Sequence, residues 1–394
     1  MIHSIPENST GTMRIVYLYT ALTTMGGADR ILIQKANYLA GQPGNEVYIV
    51  TDSQEGRPYS FPLSRQIKHL DLAVNFSNMY GHALFINFFY YMRFMRKYKK
   101  RLEKLLSQLQ PDIVISTLGR EMDFLTSLKD GSRKIGEAHI ARRYMRNLHL
   151  LEERGGLSKI VAHYWRYNQE RKIKQLDALV VLTQEDAANW ASVRQTTVIP
   201  NPLTIHCEQK SLCTSKLAIS VGRLSGQKGY DLLIEAWRDV AGKHPEWELR
   251  IYGEGEEKER LAQKISLYQL ENCIRLCPPT RHILEKYAES AFYILSSRFE
   301  GFGLVLTEAM ACGLPCISFD CPSGPAEIIR QHEDGLLVEN GNVKKLSENI
   351  CYMIEHEKER KEMGKKAAEN VQRFSSDRIM EQWKSLFNSF ISKK

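Results

Sequence analysis

What most constrains the fold is an alternation of short β-rich apolar runs, each closed by a glycine-containing turn and followed by a helical apolar pattern. Arg14–Tyr19 passes through Thr23–Arg30, with Gly26 and Gly27 in the turn, into Ile31, Leu32, Ala36, Leu39 and Ala40. Leu217–Val221 passes through Gly222–Gly229 into Tyr230–Ala241, and Ala291–Leu295 passes through Arg298–Gly303 into Leu304, Leu306, Ala309 and Met310. Further strands are expected at Val47–Thr51, Pro111–Ser116, Lys134–Glu137, Asp177–Thr183, Glu248–Tyr252 and Ile274–Leu276. Strands of this kind, separated by helices, form parallel sheets covered on both faces, so the spacing predicts doubly wound α/β domains. At 394 residues the chain is long for one core and two domains are expected. In Thr197–Pro202 two prolines bracket Asn201 and break regular structure, which places the linker there and the domains at 1–200 and 201–377.

The third of these turns carries the most chemistry. Glu300 stands in the turn and Glu308 lies eight residues on, inside the helical pattern. A strand, turn and helix leaves backbone N–H groups around Gly301–Val305 at a helix start, where the macrodipole favours a phosphate. Carboxylates only accept hydrogen bonds, so two of them beside a phosphate site read as binders of hydroxyl groups. With a helix starting near Gly303, Glu300 projects towards whatever the phosphate carries, and Glu308, more than a turn deeper, faces a neutral polar group such as a ribose. In the second turn Arg223 and Lys228 present two cations near a helix N-terminus, which suits a diphosphate. His139 follows a strand end, where open α/β sheets bind ligands. Arg142, Arg143 and Arg146 come next, either as holders of an anionic acceptor or as a solvated helix face.

The stretch E-G-F-G-L-V-L-T-E-A-M-A-C-G-L-P, from Glu300 to Pro315, resembles the E-x7-E signature of retaining nucleotide-sugar glycosyltransferases of family 4, which have the GT-B fold. Gly222–Gly229 is similar to that family's G-R-L-x-x-x-K-G turn, and V-I-P-N-P to its interdomain hinge. G-G-A-D-R at 26–30 resembles a G-G-A-E-R turn with Asp29 where glutamate is usual, and Gly253–Glu256 resembles the G-x-G turn by the nucleotide. His139 sits in G-E-A-H-I-A-R-R, an imperfect match to the family's E-H-N, and Pro278 replaces a frequent glycine at the base pocket, which leaves the base open. The resemblance covers nearly the whole chain, most strongly residues 217–340.

It implies two Rossmann-like domains facing a central cleft, with residues 378–394 packing back on the first. It implies transfer of a sugar, with retention, from a nucleotide-sugar donor, expected to be a UDP-sugar, to a glycan or lipid-linked acceptor of bacterial surface polysaccharide. The family's roles place Arg223 and Lys228 on the pyrophosphate, Glu308 on the ribose, Glu300 on the donor-sugar hydroxyls and His139 near the sugar. Gly26, Gly27, Gly301, Phe302, Gly303, Leu304 and Val305 complete the donor-binding set. No metal or other cofactor is expected, since two cations and a helix start take its place. No residue stands out as a covalent nucleophile, which fits departure and attack on one face of the sugar. The competing readings are another GT-B enzyme, an epimerase or a phosphorylase, and a non-catalytic nucleic-acid or membrane binder. The joint presence of Glu300, Glu308, Arg223 and Lys228 argues against the non-catalytic reading, and no nucleic-acid partner is expected.

Charge adds a second theme. Residues 1–200 hold 27 Lys/Arg against 18 Asp/Glu, whereas residues 201–394 hold 27 against 28, so the excess of +8 belongs to the first half. Residues 84–101, L-F-I-N-F-F-Y-Y-M-R-F-M-R-K-Y-K-K-R, run aromatics into a basic cluster. Such a segment reads either as an interfacial helix docking on an anionic membrane or as a core helix with a solvated basic end. All eight cysteines lie in the second half without metal-ligand spacing, which reads as free thiols in a reducing cytoplasm. The first twelve residues are polar and lack a signal-peptide core, and no run of about 18 apolar residues occurs. A cytoplasmic protein in peripheral contact with a membrane is expected.

Overall fold

The computed structural model describes residues 12–24, 26–76, 84–193 and 195–391. The chain divides into two compact units, the first comprising Met1–Val181, Ala187–Ile199 and Met380–Lys394, the second Leu182–Asp186 and Pro200–Ile379.

The first unit holds strands β1 Met13–Tyr19, β2 Asn45–Thr51, β3 Lys68–Asp71, β4 Ile113–Ser116, β5 Arg133–Glu137, β6 Ala178–Val181 and β7 Thr196–Val198. They form one sheet in the order β3-β2-β1-β4-β5-β6-β7, with every neighbouring pair parallel. Ile15, Val16, Tyr17 and Leu18 are consecutive and all inaccessible, and since their side chains alternate between faces, both faces of the sheet are covered. The helices of this unit are α1 Gly27–Ala40, α2 Leu84–Leu109, α3 Leu148–Glu153 and α4 Gly156–Ile173, and α5 Gln184–Asn189 re-enters it at Ala187. Strand β3 has no counterpart in the sequence reading, because its K-H-L-D is short and polar, as an edge strand tolerates.

The second unit repeats the plan with β8 Leu217–Val221, β9 Glu248–Tyr252, β10 Ile274–Cys277, β11 Phe292–Leu295, β12 Cys316–Asp320 and β13 Gly335–Glu339. The order is β10-β9-β8-β11-β12-β13, again parallel throughout. Its helices are α6 Tyr230–Lys243, α7 Lys258–Leu267, α8 Ile283–Glu289, α9 Leu304–Ala311, α10 Pro325–Ile328, α11 Val343–Glu355 and α12 Glu357–Asn370. Trp237, Trp247, Phe292, Phe319, Leu346 and Ile350 are buried together in its core. The last helix, α13 Ser376–Ile391, belongs to the first unit from Met380 onward. There the Trp383 ring lies 4.6 Å from the Lys35 ammonium of α1. The eight cysteines are all free thiols.

Helix α2 resolves the two readings of residues 84–101 into two faces. Met95, Tyr98, Leu102 and Leu106 are buried, and Tyr91 and Phe94 pack on Phe76 at 6.5 and 5.8 Å between ring centres. Lys97 donates to the Ala73 carbonyl at 2.9 Å and Arg101 to the same carbonyl at 3.0 Å, so part of the basic cluster caps a loop. On the outer face Phe89 is 73% exposed, and Arg93, Arg96 and Lys100 are exposed as well. The side chains of residues 84–88, Phe88 among them, lie outside the described residues. No helix among the described residues is long and apolar enough to cross a membrane.

Candidate active site

Two turns of the second unit are strapped together at the C-terminal ends of adjacent strands β8 and β11. The Gln227 amide nitrogen donates to the Phe299 carbonyl at 3.0 Å, Arg298 N–H to the Gln227 carbonyl at 2.8 Å, and the Ser296 hydroxyl to the Lys228 carbonyl at 2.9 Å. Between them lies Gly229, at φ +61°, where an added Cβ would stand 2.1 Å from the Ser296 carbonyl oxygen. Only glycine accepts both that left-handed conformation and that approach. Arg298 grips Asp231 in the first turn of α6 through two hydrogen bonds of 2.9 and 2.8 Å. Burial works against the Asp231 charge, but the guanidinium prevails and holds the carboxyl below its ordinary value.

Across this seam Lys228 donates to Glu300 at 2.6 Å, and the Ser297 hydroxyl donates to the same oxygen at 2.6 Å. The two side chains of the pair are 16% and 9% exposed. Arg223, on the Lys228 turn, is exposed and takes part in none of the ion pairs among the described residues. Gly303, at φ +97°, caps α9, so the helix starts at Leu304 and Val305, both half-buried. Gly301 precedes them, and Phe302 is buried edge-on against Phe374 with ring centres 5.4 Å apart. One turn into α9, Glu308 is 6% exposed and accepts from the Thr204 hydroxyl at 3.1 Å. Arg223, Lys228, Glu300 and the α9 start thus share one unit, with a lysine–carboxylate pair where the sequence placed two separate ligand contacts.

The other sequence-predicted residues belong to the first unit. Gly26 caps α1 and Gly27 opens it. Asp29 is buried and accepts from the Tyr19 hydroxyl at 2.7 Å and from Thr24 N–H at 2.9 Å, so it ties the glycine turn to β1. His139 follows β5, its Nε2 3.5 Å from Glu137, and that nitrogen is buried without a hydrogen-bond partner. Burial lowers the imidazole pKa, with Glu137 opposing, which favours the neutral ring. Glu137 itself is ion-paired with Lys35, both fully enclosed. Arg142 is bound by Glu170 at 3.0 Å and Arg146 donates to the Gly119 carbonyl at 2.7 Å, while Arg143 lies beside Tyr144. Arg142–Asn147 is a 3-10 segment with Arg146 at φ +52°, so the three arginines do not form the regular helix face that was one of the two readings.

Sequence reasoning missed Ser297, Thr204, Lys35 and Glu137. Lys35 carried a signal, because it stands four residues from both Ile31 and Leu39 on the apolar face of α1. Ser297 and Thr204 carried none, since they meet the glutamates only through tertiary packing.

Residues 206–370 match the model of the family described as Glycosyl transferases group 1. The matched residues lie in the second unit and include Arg223, Lys228, Glu300 and Glu308. An exopolysaccharide phosphotransferase of Streptomyces coelicolor is 37% identical over 226 residues, 56% of this chain and 24% of that protein. An uncharacterized glycosyltransferase of Haemophilus influenzae is 27% identical over 379 residues, 95% of this chain and 99% of its own length. The chain thus spans about a quarter of the first relative and nearly all of the second. Among solved structures, a mutant of Staphylococcus aureus TarM in complex with fondaparinux, alpha-GlcNAc-glycerol and UDP superposes with a TM-score of 0.76 at 17% identity, covering 96% of this chain and 100% of that one. With two parallel Rossmann-like units, the likeness shows the fold of this chain to be GT-B.

Proposed function

We propose that this protein is a retaining, metal-independent glycosyltransferase of family 4 that moves a sugar from a nucleotide-sugar, a UDP-sugar in our reading, to a glycan or lipid-linked acceptor of bacterial surface polysaccharide. The observation that carries the reading is the Lys228–Glu300 pair beside the α9 start, with Arg223 exposed on the same turn. In the proposed cycle Lys228 leaves Glu300 for the donor diphosphate and joins Arg223 there. Glu300 is then released to accept hydrogen bonds from the donor-sugar hydroxyls, and Glu308 takes the ribose. The bond from the anomeric carbon to the phosphate oxygen breaks, and the acceptor oxygen bonds to the same carbon on the same face. The acceptor proton passes to the departing phosphate, whose growing charge the two cations and the helix start stabilise. His139, neutral by burial, is suited to a hydroxyl of the sugar.

The UDP and alpha-GlcNAc-glycerol named with the TarM structure, and the exopolysaccharide in the Streptomyces relative's name, agree in kind with this donor and acceptor. A cytoplasmic location in peripheral contact with the membrane follows from an acceptor of that class. An epimerase would turn over without acceptor and a phosphorylase would require inorganic phosphate. Mass spectrometry of donor hydrolysis across a nucleotide-sugar panel, with and without a chelator, tests the reading. Hydrolysis of one donor that survives chelation is expected; no hydrolysis of any donor sinks it, and an inverted product anomer by NMR removes retention.

A further inference from the structure

Helix α4 carries its apolar bulk on the outside. Its buried positions are Ala162, Gln169 and Ile173, with Arg166 beside them in an ion pair to Glu152 at 2.9 Å. Its solvent face carries Ile160, Val161, Tyr164, Trp165 and Tyr167, exposed by 66, 47, 64, 41 and 69%. At helical spacing Ile160, Tyr164 and Tyr167 share one line and Val161 and Trp165 the next, so the five make one stripe. A single exposed apolar side chain is ordinary, whereas five large contiguous ones mark a surface that is covered in use.

Charge tells what covers it. From Arg142 to Lys174 there are nine Lys/Arg against three Asp/Glu, a net +6. Glu170, Glu152 and Asp123 engage Arg142, Arg166 and Lys172, while Lys159, Arg171 and Lys174 are exposed. Helical spacing puts Arg171 in line with Tyr164, and Lys174 in line with Tyr167. A saccharide would stack on the rings but leave Ile160 and Val161 without use. An anionic lipid surface uses every part: aliphatic groups and ring bodies enter the acyl boundary, hydroxyl and indole N–H groups stay among headgroups, and cations meet phosphates.

We propose that the outer face of α4 docks this protein on an anionic membrane, the helix lying in the plane of the interface. Helix α2 adds the exposed Phe89 and the exposed cations Arg93, Arg96 and Lys100. The Tyr91 hydroxyl of α2 and the Lys172 ammonium of α4 both reach Asp123, at 3.2 and 2.9 Å, so the two helices meet at one point of the unit. A groove of about 600 Å³ lined by Tyr90, Arg93, Phe94, Lys97 and Arg101 opens on α2, where an anionic headgroup fits. The inference deepens the proposed membrane-linked acceptor but needs neither donor nor acceptor to be tested.

Flotation of the full chain with phosphatidylcholine vesicles, with and without phosphatidylglycerol, is the experiment. Wild type is expected to float with the anionic vesicles and to be released by salt. The Ile160→Ser, Tyr164→Ser, Tyr167→Ser variant is expected to lose at least about tenfold in partitioning, at an unchanged melting temperature because these side chains are exposed. Wild type that stays at the bottom of the gradient overturns the proposal, as does a triple variant that floats equally well. A dimer in solution that the triple variant dissociates also overturns it, since the stripe then joins two copies of the chain. If only Arg96→Gln with Lys97→Gln, Lys99→Gln and Lys100→Gln abolishes flotation, α2 docks and α4 does not. Protein that floats but hydrolyses no nucleotide-sugar refutes the proposed reaction and leaves the docking surface standing.

Discussion

Each unit holds a lysine–glutamate pair at the C-terminal end of its sheet, and the two differ in their access to water. Lys35 and Glu137 in the first unit are 1% and 2% exposed, whereas Lys228 and Glu300 in the second are 16% and 9% exposed and sit on turns. A fully enclosed pair cannot trade partners without stranding a charge, so Lys35–Glu137 is read as fixed support for the strand end that carries His139. Even fully buried, Glu137 keeps a carboxyl pKa below its ordinary value: burial pushes upward, and the Lys35 ammonium outweighs it. The reachable pair can exchange a carboxylate for a phosphate at little cost. Similar residues thus make an enclosed framework in one unit and, in the proposed cycle, a ligand switch in the other.

The largest effect should come from opening the enclosed pair. Lys35→Met leaves Glu137 buried without its cation and should cost about 3–5 kcal/mol in denaturant unfolding. A loss below about 1 kcal/mol would mean that water reaches the pair and that the contrast between the units is false. The reachable pair should respond in rate rather than in stability. If, as proposed, its charge serves the leaving diphosphate, Lys228→Ala should slow donor turnover by roughly 10²–10³-fold while moving the unfolding midpoint little. Near-normal turnover would take Lys228 out of the site.

Asp52 sharpens the comparison as a buried acid answered by a hydroxyl instead of a cation. Ser53 donates to it at 2.5 Å and Arg120 acts through space, yet burial pushes its pKa up to about 6. A carboxyl raised in the folded state costs stability above that value, and the cost disappears as pH falls through about 6 towards its ordinary 3.8. Asp52→Asn should therefore stabilise the protein by about 2–3 kcal/mol near pH 8 and by only about 1 kcal/mol near pH 4.5. Equal gains at both pH values would show that its charge is not the cause.

The smallest effect separates the two site glutamates. If Glu300 meets the reacting sugar and Glu308 the ribose, Glu300→Gln should lower kcat about tenfold at little change in KM, and Glu308→Gln should raise KM about tenfold at little change in kcat. The reverse pattern would exchange their roles.

Period and punctuation alone indicated the parallel α/β plan, since strands buried on both faces must be apolar throughout and helices between them must alternate at 3.6. The same local logic placed the α9 start beside Gly303 and put Arg223 and Lys228 on one turn, because glycine conformations and helix starts are set within a few residues. The final helix was given its return to the first domain by family resemblance, and Trp383 stacked on Lys35 is the contact that shows how it lies there. Three things were decided only by tertiary structure. Lys228 meets Glu300 across 72 residues because the turns after β8 and β11 lie side by side, and Lys35 meets Glu137 across 102 because helix α1 packs on the sheet beside the end of β5. The outward stripe of α4 is invisible to a periodicity argument, which assigns the apolar side of a helix to the core. Only the packing shows that Ala162 and Ile173 face inward and that Tyr164 and Tyr167 do not. Sequence fixes which side chains share a face of a helix, but which face meets the core depends on neighbours that no local pattern names.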